Sequence, residues 1–417
     1  MSDHKLQPVR GTKDLFSDEI KIFNHIISVA KKKSEFFGFE ELQTPIFEFS
    51  EVFERNLGEA SDIVSKEVYK FSDRGDNFLT LRPEFTAGVV RALVSNSELQ
   101  QTLPKKLFSY GPIFRYDRPQ KGRQRQFNQI NFEIFGEENY FCDVEAILLA
   151  AGVLKDLGVL DKTTLEINSL GCAETKKNYE VALTQYFTKF KNDLSADSQI
   201  RLEKNPLRIL DSKDQRDIDL LADAPEISQF FSDESKLRFD SVLNLLNKFG
   251  VKYRVNQRLV RGLDYYTSTV FEFVMSVEGA QNTVLAGGRY DNLVEKMSGK
   301  KVPAIGFAAG VERLILLAKI DLPKSRPVAV NYISGKEKFH AFEIAQKLRN
   351  SGFVTEFIFD ANFKKQMKRS SQNNSRFVVI IGETEMQNGE VSVKDFDNST
   401  EQKVKQELLV HYLEGKI

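Results

Sequence analysis

Cysteine and histidine are scarce in this chain, and their scarcity argues against several kinds of site. The sequence contains two cysteines, Cys142 and Cys172, which are too few for a disulfide framework or a cysteine-based zinc site. Its four histidines lie far apart along the chain. These counts also disfavour a hydrolase of the Ser-His-Asp or Cys-His type. We therefore expect any chemistry to depend on Arg, Glu, Gln and Tyr side chains.

Long apolar runs are missing as well. No segment approaches the ~18 consecutive apolar residues that a membrane-spanning helix needs, and the N-terminal sequence MSDHKLQPVRGTKDLF lacks the apolar core of a secretory signal. We expect a cytoplasmic protein without a membrane segment. The 59 basic and 59 acidic residues cancel, so only local clusters of charge can indicate a phosphate or nucleic-acid site.

The two common glycine-rich phosphate-binding motifs are absent from the chain. It contains no G-x-x-x-x-G-K-[ST] motif and no G-x-G-x-x-G motif after a predicted strand. If the protein binds a nucleotide, we expect arginines on a sheet to hold the phosphates, in place of a glycine-rich loop under a helix.

The pattern of apolar residues predicts an α+β protein of two domains, because 417 residues exceed one ordinary core. Short strands joined by polar turns dominate residues 40–140 and favour an antiparallel sheet, whereas residues 173–250 are typical of a helical insertion. A linker with two prolines at 319–327 precedes a β-α-β-α-β pattern, with a final helix near 401–413. The predicted domains are therefore 1–322, with the antiparallel sheet and the insertion, and 323–417, a compact α/β domain.

The densest signal for chemistry is the segment YGPIFRYDRPQKGRQRQFNQINFEIFG at 110–136. Four arginines fall within eleven residues, and arginine is suited to bidentate phosphate recognition. Gln129, Asn131 and Glu133 then alternate with apolar residues, as on a strand with one polar and one buried face. The alternative is a solvated charged hairpin, but three aligned polar side chains between Phe and Ile residues favour a binding surface. The four arginines are Arg115, Arg118, Arg123 and Arg125.

Four further segments combine glycine or proline with polar side chains. In RLVRGLDYYTSTVFEF at 258–273, Arg261 lies beside a glycine bend and two tyrosines begin a strand, although an ordinary turn is the simpler interpretation of this segment alone. The pair Gly287 and Gly288 would permit a ligand to approach the backbone. LTLRPEFTAGVVRAL predicts a helix with Pro83 at its start and with acidic and hydroxyl groups in its first turn, suited to an amine. AIGFAAGVERLILL predicts a strand that leads into a helix bearing Arg313.

These segments together resemble the class II aminoacyl-tRNA synthetases, and among them the histidyl-tRNA synthetase family. FEELQTPIFE resembles the first, dimer-forming motif of the class, FRYDRPQKGRQRQFNQINFEIFG the second and GFAAGVERL the third. RGLDYYT at 261–267 and AGGRYDNLV at 286–294 resemble motifs that other class II specificities lack. QPVRGTKDLF resembles the N-terminal signature of the family, and NSLGC and RILDSKD resemble the borders of its helical insertion. The ordered match covers nearly the whole chain.

The resemblance implies a role for each matching residue. It implies that arginines bind ATP and stabilise the charge that develops as histidine is activated: Arg115, Arg261 and Arg313. It implies ATP contacts from Arg115, Asp117, Arg123 and Arg313. It implies a histidine site made of Glu84, Thr86, Arg115, Gln129, Glu133, Arg261, Tyr265, Tyr266 and Tyr290. It implies that Arg118 and Gln120 meet the acceptor end of tRNA(His), with Mg²⁺ carried by ATP and no metal held by protein alone.

Two positions depart from the family pattern. Asp117 stands where the second motif commonly has glutamate, which shortens its reach to adenine, and Phe85 stands where a glycine is common. The resemblance further implies a homodimer and an anticodon-binding role for residues 328–417. Within that segment KKQMKRS at 364–370, near Asn362 and Phe363, would contact RNA, and a solvated basic helix is the alternative.

Two other functions remain open to the sequence. One is a non-catalytic subunit that uses the synthetase fold to sense histidine, although such relatives usually lack the 261–267 motif and the C-terminal domain, and this chain keeps both. The other is a nucleic-acid-binding module without catalysis. Such a module would not need Arg115, Arg261 and Arg313 around one pocket, so we favour a histidine–tRNA ligase.

Overall fold

The chain forms two compact units, which comprise residues 1–320 and 321–417. The computed structural model describes residues 6–54, 67–120, 122–275, 283–318, 320, 326–359 and 361–416. The predicted boundary between 322 and 323, and most of the predicted linker, lie outside these residues. In the described ranges no helix is both long enough and apolar enough to cross a bilayer.

The larger unit is built on an eight-stranded sheet. Neighbouring strands are antiparallel except at the two edges, where Glu40–Glu41 and Tyr253–Val255 each pair parallel with their neighbour. The antiparallel prediction therefore holds for the six central strands, and the sheet as a whole is mixed. In spatial order its strands are Glu40–Glu41, Lys105–Phe114, Gln126–Phe135, Ala304–Gly310, Thr283–Arg289, Thr267–Met275, Thr163–Ser169 and Tyr253–Val255.

The predicted alternation along Gln126–Phe135 decides which face of this sheet is buried by helices. Ile130, Phe132 and Ile134 are each at most 3% exposed and lie in one core with the helices Ser17–Phe36 and Phe141–Asp156. Because successive side chains of a strand point to opposite faces, the polar residues between them face away from those helices. The remaining helices of this unit outside the insertion are Glu51–Glu54, Thr86–Ser95, Ser97–Gln101, Leu293–Ser298 and Val311–Leu317, with a 3-10 turn at Leu160–Lys162.

Three of the short strands predicted in the N-terminal part form a separate small sheet. Phe78–Leu81 lies in its centre and pairs antiparallel with Phe47–Phe49 and Tyr69–Ser72. Its aromatic side chains are largely solvent-exposed, with Phe47 at 52% and Phe49 at 59% exposure. This small sheet therefore presents an apolar surface.

Helices occupy the chain between the strands Thr163–Ser169 and Tyr253–Val255, where a helical insertion is expected. Serine side chains cap two of these helices, because Ser195 accepts from the N–H of Ser198 and Ser232 from that of Ser235. The helices are Ala173–Thr188, Ala196–Lys204, Gln215–Leu221 and Asp233–Lys248, and 3-10 turns lie at Pro206–Asp211 and Ile227–Phe230.

A buried ionic network joins the insertion to the sheet. The Asp143 carboxylate, which is fully buried, accepts from Arg289 Nε at 2.6 Å, Thr269 Oγ1 at 2.7 Å and Arg238 Nη2 at 3.2 Å. Arg289 is 1% exposed and also donates to Asp291 Oδ1 at 2.8 Å. A buried arginine satisfied by several acceptors is held rigidly, so this network fixes the backbone that leads into Tyr290.

The smaller unit has a five-stranded sheet. Its strands, in spatial order, are Thr355–Phe357, Val328–Tyr332, Phe377–Ile381, Glu390–Asp395 and Thr400–Lys405, of which the first three are parallel and the last two antiparallel. Its helices are Lys338–Asn350, Phe363–Gln372, Glu383–Asn388 and Leu409–Glu414. The strand–helix alternation confirms the predicted α/β class.

The prediction of a final helix near 401–413 was wrong for the first half of that range. Residues 400–405 form a strand that pairs with 390–395 in a hairpin, and the last helix begins only at Leu409. The hairpin has its own signals, because Val391 and Val393 alternate with polar residues and Asp395 closes the turn by accepting from the N–H groups of Asp397 and Asn398.

Asn362 and Phe363 have local structural partners. The Asn362 side chain caps the basic helix by accepting from the N–H of Lys365 at 3.0 Å, and Phe363 packs against Val378 and Ile380. The basic residues of the helix are exposed. Asn362 is exposed and Phe363 half-buried, so the expectation that they face RNA beside the basic residues stays a prediction.

Candidate functional site

A cavity of about 590 Å³ opens on the polar face of the large sheet. Strands, the segment before helix Thr86–Ser95, the 3-10 turn Pro206–Asp211 and the loop around Arg261 all contribute to its wall. The predicted site residues that line it are Glu84, Thr86, Arg115, Asp117, Arg123, Gln129, Arg261, Tyr265, Tyr266, Tyr290 and Arg313. Tertiary structure thus brings together residues that lie as far apart as 84 and 313.

Arginines form one part of the cavity wall and are only partly neutralised. Arg115 Nε donates to the carbonyl oxygen of Pro83 at 2.8 Å, and Arg313 Nη1 donates to the carbonyl oxygen of Thr283. These contacts orient each guanidinium without cancelling its charge. Burial lowers the pKa of both side chains, and repulsion from Arg123 and Arg115 adds to the effect on the pKa of Arg313. Such a cluster is suited to a polyanion.

Arg261 is held in the same cavity by an acidic partner. Its Nη1 donates to Glu272 Oε2 at 2.9 Å, and the same oxygen accepts from Thr283 Oγ1 at 2.9 Å. Burial opposes the positive charge of Arg261, but the Coulomb attraction of Glu272 raises its pKa overall. Its buried Nε has no hydrogen-bond partner among the described residues, so one donor remains for a ligand.

A second part of the wall offers acceptors. Buried Gln129 Oε1 and Asn131 Oδ1 have no hydrogen-bond partner in the described part of the chain. Glu84 is 4% exposed, and its carboxylate accepts from the N–H groups of Thr86 and Ala87, each at 2.7 Å. Burial raises the pKa of this carboxyl, against the effect of those hydrogen bonds. Unsatisfied acceptors beside a carboxylate are suited to a cationic amine.

The helix in this part of the site begins later than the sequence predicts. It spans Thr86–Ser95, so Pro83 and Glu84 precede its first turn. The Glu84 side chain takes the capping role instead, because the first N–H groups of a helix lack partners within it. The capping geometry holds the Glu84 carboxylate beside Thr86.

Glu133 lies directly behind the cavity wall and does not line it. Its carboxylate accepts from Thr86 Oγ1 at 2.5 Å and from Asn131 Nδ2 at 2.9 Å, and it also accepts the hydroxyl of Tyr290. Burial raises the pKa of Glu133 to about 7, although these hydrogen bonds oppose the shift. The ring of Tyr265 lies 4.7 Å from that of Tyr266 and 5.5 Å from that of Tyr290, measured between centroids.

A glycine that sequence reasoning missed makes room for this carboxylate. A Cβ atom on Gly306 would lie 1.5 Å from Glu133 Oε2, so only glycine fits there. Its signal was a glycine inside the predicted strand AIGFAAG. Gly287 and Gly288 serve protein packing, because added Cβ atoms would lie 2.3 Å from the carbonyl oxygen of Gly306 and 2.9 Å from Tyr266 Cδ1. The expected approach of a ligand to these two glycines was therefore wrong.

The arginine-rich hairpin divides into an inner and an outer part. Asp117 accepts from Arg123 Nη1 at 3.0 Å and from the N–H of Arg118 at 2.6 Å, so its carboxylate is occupied within the hairpin. Backbone hydrogen bonds between Gln120 and Arg123 close the turn. Arg118 and Gln120 are exposed and do not line the cavity. They are available to a larger partner outside it.

Many residues of the cavity wall were not predicted as site residues, and three of them are charged residues near Arg261. Arg208 comes from the helical insertion, Arg258 precedes the loop of Arg261, and Glu272 pairs with Arg261. All three stand in segments that the motif analysis had selected, RILDSKD and RLVRGLDYYTSTVFEF. Their place in the cavity could not be foreseen, because it depends on how the insertion folds back onto the sheet.

Comparisons with known proteins agree with this geometry. Residues 11–314 match the family model for histidyl-tRNA synthetase, and residues 327–416 match the model for an anticodon binding domain. A protein named histidine–tRNA ligase from Wolbachia pipientis subsp. Culex pipiens (strain wPip) is 50% identical over 398 residues, which are 95% of this chain and 97% of that protein. One of the same name from Orientia tsutsugamushi (strain Boryong) is 46% identical over 417 residues and covers 99% of both chains.

A solved structure extends the likeness to three dimensions. The crystal structure of apo S. aureus histidyl-tRNA synthetase superposes with a TM-score of 0.82 at 31% identity and covers 98% of this chain and 99% of that one. The two family matches and the relatives share the same order of segments over nearly the whole sequence. This chain therefore belongs to the histidyl-tRNA synthetase family of class II aminoacyl-tRNA synthetases.

Proposed function

We propose that this chain joins histidine to tRNA(His) in two steps. The carboxylate of histidine attacks the α-phosphorus of ATP, giving histidyl-adenylate and pyrophosphate, and the 3′-terminal adenosine of the tRNA then takes the histidyl group and releases AMP. The observation that carries the proposal is one cavity with half-buried arginines on one part of its wall and unpaired acceptors on another. It can hold an anionic nucleotide and a cationic amine together.

Different arginines of the cavity would bind different phosphates of ATP. Arg115 would bind the α-phosphate, and Arg313 and Arg123 the outer phosphates. Arg261 would stabilise negative charge on the α-phosphate during attack, with its unpaired Nε as the added donor. Asp117 would contact adenine only after loosening its pair with Arg123. No protein nucleophile is needed, because positioning and positive charge supply most of the catalysis.

The histidine substrate would be recognised at both ends. Glu84, Thr86 and Gln129 would bind its α-amino group. Glu133 and Tyr266 would bracket the imidazole, with Tyr265 and Tyr290 shaping the pocket. Glu133 would have to exchange one of its present partners, Thr86 or Tyr290, for a ring N–H. The hydrogen-bonding groups of this pocket favour a ring that both donates and accepts.

Mg²⁺ would enter the cavity bound to the phosphates of ATP. The described residues contain no group of three His, Cys, Asp or Glu side chains that could hold a metal ion by themselves. Glu272, beside Arg261, is one of several carboxylates in the cavity wall and would add one oxygen ligand to those of the phosphates. When bound, Mg²⁺ would neutralise charge on the outer phosphates.

Histidine-dependent exchange of pyrophosphate with ATP tests the first step. We expect the purified protein to catalyse this exchange with histidine, and not with other amino acids. The family match and the arginine set support a ligase over a histidine-sensing subunit. Binding of histidine without exchange would favour the subunit and contradict our proposal.

We also propose the domain boundaries 1–322 and 323–417, a cytoplasmic location and a homodimer. Exposed apolar side chains on one face of the small three-stranded sheet support the dimer: Phe47, Phe49 and Phe71. A contiguous apolar surface of this kind typically marks a protein interface.

Sedimentation should return twice the chain mass of 47.7 kDa at micromolar concentration. Phe49→Lys should shift the protein toward the monomer, because it would bury a charge in the interface. Phe249→Lys replaces an equally exposed phenylalanine, 62% against 59%, in the helical insertion and should leave the mass unchanged. A monomeric wild-type protein would contradict the dimer.

The smaller unit should bind the anticodon part of the tRNA. Its basic helix Phe363–Gln372 presents exposed lysine and arginine side chains, which suit phosphate contacts. Exposed aromatics elsewhere in the unit, Phe339 and Phe359, could stack on bases. A merely solvated basic helix is the alternative.

Deleting residues 328–417 should preserve histidine-dependent exchange and greatly weaken tRNA charging. Exchange needs only the cavity of the larger unit, whereas charging also needs tRNA affinity. Binding of tRNA to the intact protein should weaken steeply as salt rises, because phosphate contacts release counterions. Equal charging efficiency of the truncated and intact proteins would contradict a tRNA role for this unit.

A further inference from the structure

The loop that carries Arg261 has little backbone structure of its own. Residues 260–266 form neither helix nor strand and contain only a turn at 264–265. Hydrogen bonds from side chains of the helical insertion stabilise it instead. Arg208 Nη1 donates to the carbonyl oxygen of Arg261 at 3.0 Å, Asn205 Nδ2 to Asp264 Oδ1 at 2.9 Å and Lys176 Nζ to the carbonyl oxygen of Asp264 at 3.4 Å.

The first two donors are themselves rigidly placed. Asn205 is extended and precedes the 3-10 turn Pro206–Asp211, whose proline restricts the backbone at its start. Leu207, Ile209 and Leu210 of this turn are at most 6% exposed and share a hydrophobic core with Tyr265 and Tyr266. Arg208 is 7% exposed. The insertion therefore offers a fixed donor to a loop that forms no helix or strand of its own.

We propose that Arg208 is a positioning residue for Arg261, and that the helical insertion sets the rate of histidine activation through this contact. A hydrogen bond to the Arg261 carbonyl fixes the backbone from which its guanidinium extends, while Glu272 fixes the other end of the side chain. Displacement of a catalytic group by ~1 Å can cost about 100-fold in rate. The inference depends on the proposed ligase function, because it assigns Arg208 an effect on adenylate formation.

Arg208→Met removes the donor and keeps much of the apolar stem. We expect the kcat of histidine-dependent exchange to fall by about 10- to 100-fold, with KM for histidine and ATP changed by less than about 3-fold. Arg208→Lys, which retains a charge and a donor, should recover part of the loss. Arg216→Met removes the same charge from an exposed arginine of the insertion that pairs locally with Asp214, and should leave exchange unchanged.

A double-mutant cycle with Arg261→Ala separates positioning from direct substrate contact, since Arg208 also lines the cavity. If Arg208 acts through Arg261, Arg208→Met should have almost no effect on single-turnover adenylate formation in the Arg261→Ala background. The same cycle with Arg208→Lys perturbs the fold less. Thermal unfolding of each variant would check that the fold is retained.

The outcomes distinguish this inference from the proposed function. A wild-type protein without histidine-dependent exchange would overturn the function itself. With an active wild type, exchange by Arg208→Met at the wild-type rate would overturn the positioning role alone. So would a loss of activity caused by Arg208→Met that is as large in the Arg261→Ala background as in the wild-type background.

Discussion

Arg261→Ala should slow histidyl-adenylate formation by ~100-fold or more, the scale for loss of one donor to a developing oxyanion. The Arg261 guanidinium already has one end fixed on Glu272 and one buried donor without a partner. The interaction it would gain with the α-phosphate forms mainly as charge builds during attack, so histidine binding should change much less. Single-turnover formation of adenylate, with histidine affinity measured separately, checks both expectations.

Two variants control for the loss of charge and for disturbance of the sheet. Arg261→Lys keeps a positive charge but lacks the fork of donors, and should recover only part of the rate. Arg254→Ala removes an exposed arginine of the edge strand Tyr253–Val255, which pairs with Glu166 of the neighbouring strand, and should leave the rate unchanged. Exchange near the wild-type rate in Arg261→Ala would show that Arg261 has a structural role only.

Glu133→Ala should abolish both histidine affinity and selectivity. A site that hydrogen-bonds a substrate group rejects analogues lacking it by ~10⁴ or more, because its own polar groups are otherwise left unpaired. In this protein the substitution would also strip Thr86, Asn131 and Tyr290 of a shared acceptor. Equilibrium binding of histidine and exchange with a panel of amino acids measure the two losses.

Glu133→Gln is the matched variant, because it keeps the size of the side chain and one acceptor but removes the negative charge. We expect it to fold like the parent and still to bind histidine poorly if the carboxylate accepts the imidazole N–H. Retention of histidine affinity in Glu133→Ala would contradict the assigned role.

The polar strand shows how far local patterns reach. Alternation along Gln126–Phe135 correctly predicted that Ile130, Phe132 and Ile134 are buried and that Gln129 and Asn131 lie on the opposite, polar face, where they line the cavity. Period-two alternation is a property of the strand backbone itself. The pattern could not predict that Thr86 and Tyr290 cover Glu133, since those contacts come from distant segments.

The C-terminal hairpin shows where local interpretation fails. Residues 400–405 have charged and polar side chains that suit a helix surface, and they form a strand because they pair with 390–395 at the edge of a sheet. Edge strands bury little, so their sequences carry a weak apolar signal. The turn residues that precede this strand are better evidence for a hairpin than the strand residues themselves.

The sequence by itself determined the fold class, the family and eleven of the residues that line the cavity. Motif spacing, strand alternation and the absence of glycine-rich nucleotide loops are properties of short segments. The backbone geometry of a short segment restricts the secondary structure that it can form, so these features can be predicted from the sequence. Only the tertiary structure decided that Arg208 of the insertion contacts the Arg261 loop, that Thr86 and Tyr290 cover Glu133, and that Gly306 makes room for Glu133. Each of these is a contact between distant or newly juxtaposed groups, whose distances are set by packing of the whole unit and not by neighbours in the chain.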